Sequence, residues 1–119
     1  MSEYQRPADF ALVKDLMSLA PKEAAAFKNL KATAERTDGA IPEKYRELIS
    51  IAVALTTQCS YCIDVHSKNA VKAGATREEI AETVFIAAAL KAGAAVGHGL
   101  LAMRMFDEGA AAANPGSTT

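Results

Sequence analysis

Hydrophobic positions recur every three or four residues along most of the chain, and the strict two-residue alternation typical of strands is missing. Between positions 43 and 57, for example, Leu48, Ile51 and Leu55 follow this spacing and would form one apolar face of a helix. Most of the remaining residues also favour helices, alanine above all. The pattern therefore predicts an all-α fold.

Proline and glycine divide this pattern into about six predicted helices. Pro7, Pro21 and Pro42 each stand where the first turn of a helix tolerates proline. Gly74 is expected to end the fourth helix, and Gly93 is expected to separate the fifth helix from the sixth. The predicted helices span about 7–19, 21–36, 43–57, 59–72, 77–91 and a last segment that runs from beyond Gly93 to about 112.

The last two predicted helices are unusually apolar. The fifth begins with Thr76 and Glu79, which have the spacing of a capping box. Apolar side chains then lie around much of the circumference of both helices: Ile80, Val84, Phe85, Ile86, Leu90, Val96, Leu100, Leu101, Met103, Met105 and Phe106. A helix that is apolar all round is normally buried on all sides. Because a monomer of 119 residues has little interior for two such helices, we expect a homo-oligomer with a helix-lined interface.

The length of the chain fits one domain, and no internal repeat or second domain is visible. We predict a single helical domain over residues 1–113. The polar, turn-forming residues 114–119 are expected to be a disordered tail.

Charge and hydropathy restrict the class of partner. The chain has 13 basic and 14 acidic side chains without a cluster of Lys and Arg, so we expect no nucleic-acid partner. The longest apolar stretch, Val84 to Leu90, is shorter than the roughly 20 residues that cross a bilayer. The first seven residues lack the apolar core of a signal peptide. We expect a cytoplasmic protein with no membrane partner.

Two cysteines three positions apart suggest redox chemistry or a metal site, because structural disulfides are rare in reducing compartments. On a helix, Cys59, Cys62 and His66 fall within an arc of roughly 60°. The first turn of a helix carries a partial positive charge that favours a thiolate over a thiol. His66, four residues after Cys62, is placed to accept the proton of this thiol directly or through a water molecule.

Glu47 adds a carboxylate to this group. If the third and fourth helices form an antiparallel pair about Gln58, Glu47 lies opposite Asn69 and within about one helical turn of His66. The carboxylate would then orient the imidazole, as the third group does behind a nucleophile and its base.

The same side chains also suit a second kind of site. Two thiolates and an imidazole are typical zinc ligands, and Glu47 could supply a fourth. The residues by themselves leave open a dithiol oxidoreductase and a metal-binding structural module.

The spacing Glu47, eleven residues, Cys59, two residues, Cys62, three residues, His66 resembles the core motif of the alkylhydroperoxidase D-like branch of the carboxymuconolactone decarboxylase family. The likeness continues through 67–80 and covers roughly residues 40 to 92. It implies an all-α protein built around a central antiparallel helical hairpin, assembled as a trimer or hexamer. It also implies a peroxidase or thiol–disulfide activity without a haem or flavin cofactor.

Carried over by position, the resemblance makes Cys62 the sulfur that attacks a peroxide or disulfide substrate and Cys59 its disulfide partner. His66 and Glu47 would form the proton relay. An external dithiol, such as a lipoyl group or a thioredoxin-like protein, would then reduce the Cys59–Cys62 disulfide.

One position departs from the best-studied type of this family, which has a second histidine between the cysteines where this chain has Tyr61. A disulfide reductase therefore fits the sequence as well as a peroxidase does. The decarboxylation of a lactone acid, which the family name suggests, does not call for a cysteine pair, and the dithiol argues against it.

Overall fold

The computed structural model describes residues 6–116, and this part of the chain contains helices and turns but no strand. The all-α prediction is confirmed. In chain order the helical segments are a 3-10 segment over Pro7–Leu12, α1 over Val13–Leu19, α2 over Pro21–Ala34, α3 over Glu43–Thr57, α4 over Ser60–Lys72 and α5 over Arg77–Ala113.

Helices α3 and α4 form the antiparallel hairpin that the sequence predicts. The reversal takes place at Gln58, which adopts a left-handed conformation with φ 58° and ψ 44°. The backbone N–H of Cys59 then donates a hydrogen bond of 3.0 Å to the carbonyl of Ala54, which closes the turn. Cys59 itself is extended and caps α4. The two cysteines are thereby fixed at the tip of the hairpin.

Helix α5 packs on α3 and begins at the predicted capping box. The hydroxyl of Thr76 accepts a hydrogen bond from the N–H of Glu79, and the Glu79 carboxylate accepts one from the N–H of Thr76. Glu79 also lies 2.9 Å from the ammonium of Lys44 in the first turn of α3. The hydrogen bond from the Thr76 N–H has the largest effect on the pKa of Glu79, and the Lys44 ammonium has the next largest. Together they hold this pKa below its ordinary value of 4.5. The Glu79 carboxylate in turn holds the pKa of Lys44 above 10.5.

The predicted helix boundary at Gly93 is wrong, because α5 runs through it as one helix of 37 residues. A glycine inside a helix costs only about 1 kcal/mol relative to alanine. Its neighbours Ala92, Ala94 and Ala95 are strong helix formers, and no proline interrupts the segment. The first predicted helix is divided instead, into the 3-10 segment and α1.

Few side chains of the described chain are buried, and the buried set consists mostly of small residues: Ala24, Ile51, Ala54, His66, Ala70, Thr83 and Ala87. Many large apolar side chains are instead exposed. They include Leu16, Leu19, Phe27 and Leu30 on α1 and α2, and Phe85, Ile86, Leu90, Val96, Leu100, Met103, Met105 and Phe106 on α5. The radius of gyration is 20.9 Å, against about 13.5 Å for a compact domain of this length.

Helix α5 is long and apolar enough to cross a membrane, by length and composition alone, and its most apolar window has a mean hydropathy of 1.6. The sequence argument considered only the uninterrupted run from Val84 to Leu90, so it underestimated the apolar length of the continuous helix.

The tail predicted for 114–119 begins where α5 ends, and its disorder stays a prediction. Asn114 caps α5, and residues 115 and 116 form a turn. The rest of the predicted disordered tail, 117–119, lies outside the described residues, as do residues 1–5.

Candidate active site

The centre of the site is a disulfide between Cys59 and Cys62, whose Cα atoms lie 5.3 Å apart. Cys59 is the N-cap of α4, and its sulfur accepts a hydrogen bond of 3.3 Å from the N–H of Cys62. The predicted proximity of the two sulfurs is therefore present in the structure. Both cysteines are half-buried.

His66 lies one helical turn after Cys62 and is 8% exposed. Its Nδ1 lies 2.6 Å from Oε2 of Glu47 on α3, so the hairpin brings these two side chains together as the predicted register requires. The Glu47 side chain is 12% exposed. A short contact between two nearly buried groups fixes the orientation of the imidazole ring.

The structure adds a carboxylate that the sequence argument missed. Oε1 of Glu35, at the C-cap of α2, lies 3.2 Å from Nε2 of His66. The other carboxylate oxygen of Glu35 forms an ion pair with Lys31, one turn earlier on the same helix. The sequence offers only this i,i+4 pair, which is typical of a solvated helix surface. Because Glu35 lies 31 positions from His66, no local spacing could connect the two.

Arg46, the neighbour of Glu47, anchors the segment that carries Glu35. Its guanidinium donates hydrogen bonds of 2.7 Å to the carbonyl of Ala34 and of 2.9 Å to the carbonyl of Ile41. The space beside Gly39 is filled by this side chain, so a larger residue at 39 would collide with it. The end of α2 is thus tied to the first turns of α3.

Cys62 and His66 line a cavity of about 270 Å³ that opens beside the hairpin. The other lining residues all belong to α3: Ile49, Ser50, Val53, Ala54 and Thr57. The walls are mainly apolar, and the volume is slightly below the lower end of the range for small-molecule sites. A small or elongated substrate could reach Cys62 here.

Tyr61, the residue between the cysteines, faces the N-terminal segment. Its ring packs edge-on against Phe10 with the ring centroids 5.1 Å apart. Its hydroxyl donates a hydrogen bond of 3.2 Å to the carbonyl of Arg6 and lies 3.4 Å from a carboxylate oxygen of Asp9. In this chain Tyr61 therefore docks the N-terminal segment onto α4.

Comparison with known families identifies the fold. The model of the carboxymuconolactone decarboxylase family matches residues 11–105. The chain belongs to this family. The match includes all four predicted motif residues and Glu35, and the alkylhydroperoxidase D-like branch is compatible with it.

Curated relatives are similar over part of their length. The protein called uncharacterized protein 4 in cox locus, from Paracoccus denitrificans, is 45% identical over 71 residues, which make up 60% of this chain and 64% of that protein. The chain therefore matches less than two thirds of the length of this relative. An uncharacterized protein of Cupriavidus necator is 31% identical over 87 residues, 73% of this chain and 76% of that protein.

Two solved structures share the fold. A carboxymuconolactone decarboxylase family protein from Legionella pneumophila, crystallised in its apo form, is 33% identical with a TM-score of 0.62, over 83% of this chain and 88% of that one. A protein from Methanobacterium thermoautotrophicum is 31% identical with a TM-score of 0.65, over 76% of this chain and 97% of that one. The family includes enzymes, but these names specify no substrate for this chain.

Other ionisable side chains lie apart from this group. Asp64 and Lys68 form an exposed i,i+4 pair, with 3.0 Å between Oδ1 and Nζ. His98 is exposed on α5. Among residues 6–116, no group of three or more His, Cys, Asp or Glu side chains is arranged to hold a metal ion.

Proposed function

We propose that this family member is a cysteine-based thiol–disulfide oxidoreductase or peroxidase, which reduces hydroperoxides or disulfides through Cys59 and Cys62. The observation that carries the proposal is a disulfide whose Cys62 lines a cavity together with His66, which is itself bonded to Glu47. Two cysteines that can bond to each other, beside an imidazole, are what a dithiol cycle requires.

In the peroxidase cycle, the Cys62 thiolate attacks the distal oxygen of a hydroperoxide, and the O–O bond breaks to release an alcohol. Cys62 becomes a sulfenic acid. The Cys59 thiol then attacks this sulfur, water leaves and the disulfide forms. An external dithiol, lipoyl or thioredoxin-like, supplies two electrons by exchange and ends as a disulfide. With a disulfide substrate, Cys62 forms a mixed disulfide that Cys59 resolves.

His66 supports this cycle by handling the thiol proton. Glu47 holds Nδ1, so Nε2, which faces Glu35 in the disulfide form, is the ring nitrogen that would exchange a proton with Cys62 in the reduced protein. Cys62 and His66 share this cavity, so the imidazole can interact with a thiolate at Cys62.

Turnover assays test the proposal. The protein, reduced with dihydrolipoamide, is given either a small alkyl hydroperoxide or a low-molecular-weight disulfide, and consumption of the dithiol is followed. We expect turnover that Cys62→Ser abolishes, while Cys59→Ser permits one round and stops with Cys62 oxidised or in a mixed disulfide. Mass spectrometry after one equivalent of oxidant identifies the attacking sulfur.

Two results would overturn the proposal. Near-stoichiometric zinc in protein purified without chelator, lost in Cys59→Ser, would favour the metal-binding module. Turnover of a carboxymuconolactone that survives in the double Cys59→Ser, Cys62→Ser variant would favour the decarboxylase activity.

We also propose that the protein works as a homo-oligomer in which copies of this chain cover the exposed faces of α1, α2 and α5. The chain exposes 9475 Å², roughly one and a half times the area of about 6200 Å² expected for a compact monomer of its mass. The exposed apolar side chains lie on several helices, so one membrane-spanning helix would leave those on α1 and α2 uncovered. A second copy can cover both surfaces.

A further inference from the structure

Both ring nitrogens of His66 are occupied in the disulfide form. Nδ1 faces Glu47 at 2.6 Å and Nε2 faces Glu35 at 3.2 Å. A ring whose two nitrogens both face carboxylate oxygens has no nitrogen left for a cysteine sulfur. This arrangement causes no conflict while the sulfurs are bonded to each other, because a disulfide has neither a thiol proton nor a negative charge.

Reduction of the Cys59–Cys62 disulfide creates a need for a free ring nitrogen on His66. It places a thiol or thiolate at Cys62, one helical turn before His66 and on the same cavity. A thiolate there competes with the two carboxylates for an N–H of the ring. One of the carboxylates has to give up its nitrogen if His66 is to serve the sulfur.

The two carboxylates differ in how firmly they hold the ring. The Glu47 contact is shorter, and its side chain is 12% exposed. The Glu35 contact is longer, its side chain is 30% exposed, and its second oxygen already pairs with Lys31. Glu35 can therefore leave the ring without becoming an unpaired charge, whereas Glu47 would lose its contact in a nearly buried position.

We propose that Glu35 is a redox-dependent positioning residue, which holds Nε2 of His66 in the disulfide form and releases it to the Cys62 sulfur in the dithiol form. The proposal rests on the dithiol chemistry of the proposed function. In the exchange, the Nε2–H donor turns from the Glu35 oxygen to the Cys62 sulfur. Glu35 then remains paired with Lys31 at the surface.

The segment that carries Glu35 is built to bring it to the ring. Arg46 binds the carbonyls of Ala34 and Ile41 on either side of the loop that follows α2. This anchor keeps Glu35 close to Nε2, so that a small movement of one side chain can make or break the contact.

A contact that exists in only one redox state stabilises that state. The Glu35 contact should thus favour the disulfide, and its removal should make the disulfide easier to reduce. Glutathione can serve as the reductant. The protein disulfide and two molecules of reduced glutathione then give the protein dithiol and one molecule of oxidised glutathione.

The test is the equilibrium of the protein with mixtures of reduced and oxidised glutathione at pH 7, read by mass spectrometry after acid quench and thiol alkylation. For Glu35→Gln we expect the equilibrium constant for reduction to rise about three- to tenfold. Glu23→Gln removes an exposed carboxylate from the same helix and should leave the constant unchanged within twofold. An unchanged constant in Glu35→Gln, or an equal rise in Glu23→Gln, would overturn the proposal.

A measurement on the unaltered chain guards against a variant that fails to fold. Nitrogen-15 NMR of the imidazole should show Nε2 of His66 in different surroundings in the disulfide and dithiol forms, while Nδ1 changes little. Identical Nε2 signals in both forms would contradict the exchange. Neither measurement depends on the rate of turnover, so a protein too slow to act as a peroxidase or disulfide reductase can still show the exchange, and an active one can fail to show it.

Discussion

His66 is the residue on which the proposed chemistry depends most directly. It is nearly buried, it shares a cavity with Cys62, and its ring nitrogens face two carboxylates from different helices. Two of these relations follow from the sequence. The i,i+4 spacing places His66 beside Cys62, and the register of the hairpin places Glu47 beside His66.

We expect His66→Ala to slow the alkylation of the reduced protein by iodoacetamide at pH 7 by roughly tenfold, because the imidazole lines the same cavity as Cys62 and is its proposed base and counter-charge. The measurement is best made in a Cys59→Ser background, where Cys62 is the single thiol. At pH 10 the rates of the two proteins should converge, since the Cys62 thiol is then ionised whether or not His66 is present.

The matched control for this prediction is His98→Ala, which removes the other histidine of the chain from an exposed position on α5. Its alkylation rate should equal that of the parent. Equal alkylation rates for the parent and His66→Ala at pH 7 would contradict the proposal that His66 is the base for the Cys62 thiol.

At the scale of the elements, the start of α5 is defined by local chemistry. Thr76 and Glu79 cap each other, and Lys44 joins this turn to α3. The capping box was predicted from its spacing alone. The Lys44 contact could not be, since it depends on how α3 and α5 pack.

The depressed pKa of Glu79 predicts an acid-sensitive contribution to stability. A carboxylate with a lower pKa in the fold than in the unfolded chain contributes fully above its unfolded value of about 4.5, and its contribution is lost as the pH falls through the folded value. We therefore expect the parent to lose more of its free energy of unfolding between pH 6 and pH 3 than Glu79→Gln does, as measured by urea denaturation.

Glu78→Gln serves as the control, because Glu78 is exposed in the same first turn of α5. Its acid dependence should follow that of the parent. Parallel curves for the parent and Glu79→Gln would show that the capping carboxylate is not a source of acid sensitivity.

The continuity of α5 through Gly93 shows that helix formation depends on the residues of the whole segment rather than on one position. A single glycine carries a penalty of about 1 kcal/mol, which its alanine-rich neighbours offset. The boundary at Gly93 was predicted from one residue, whereas the continuity of the helix reflects the summed helix propensity of its 37 residues. Gly74 differs, because its left-handed φ of 86° ends the fourth predicted helix, α4, as expected.

At the scale of the whole molecule, the apolar surface is far larger than a stable monomer normally exposes. The apolar circumference of the last two predicted helices indicated this excess of apolar surface, and the homo-oligomer inferred from it stays a prediction. The sequence pattern could not show that the last two predicted helices form one continuous helix of about 55 Å. It also could not show that α1 and α2 present a second apolar surface.

Sedimentation equilibrium at physiological salt should give a mass that is a multiple of 12.5 kDa. Leu100→Glu, which places a charge on the exposed face of α5, should shift the distribution towards smaller species, because burying an unpaired carboxylate is unfavourable. Leu100→Met keeps the face apolar and should assemble like the parent. A parent protein that sediments as a monomer, or that partitions into phosphatidylcholine vesicles, would contradict the homo-oligomer.

The sequence by itself determined the helical class, the hairpin at Gln58, and the grouping of Cys59, Cys62, His66 and Glu47. These features depend on the period of the helix and on one tight reversal, so they follow from residues at most 19 positions apart. The tertiary structure decided the approach of Glu35 to His66 and the docking of Tyr61 on the N-terminal segment. Such contacts join residues 31 or more positions apart, and they depend on the packing of whole helices, which no local spacing specifies.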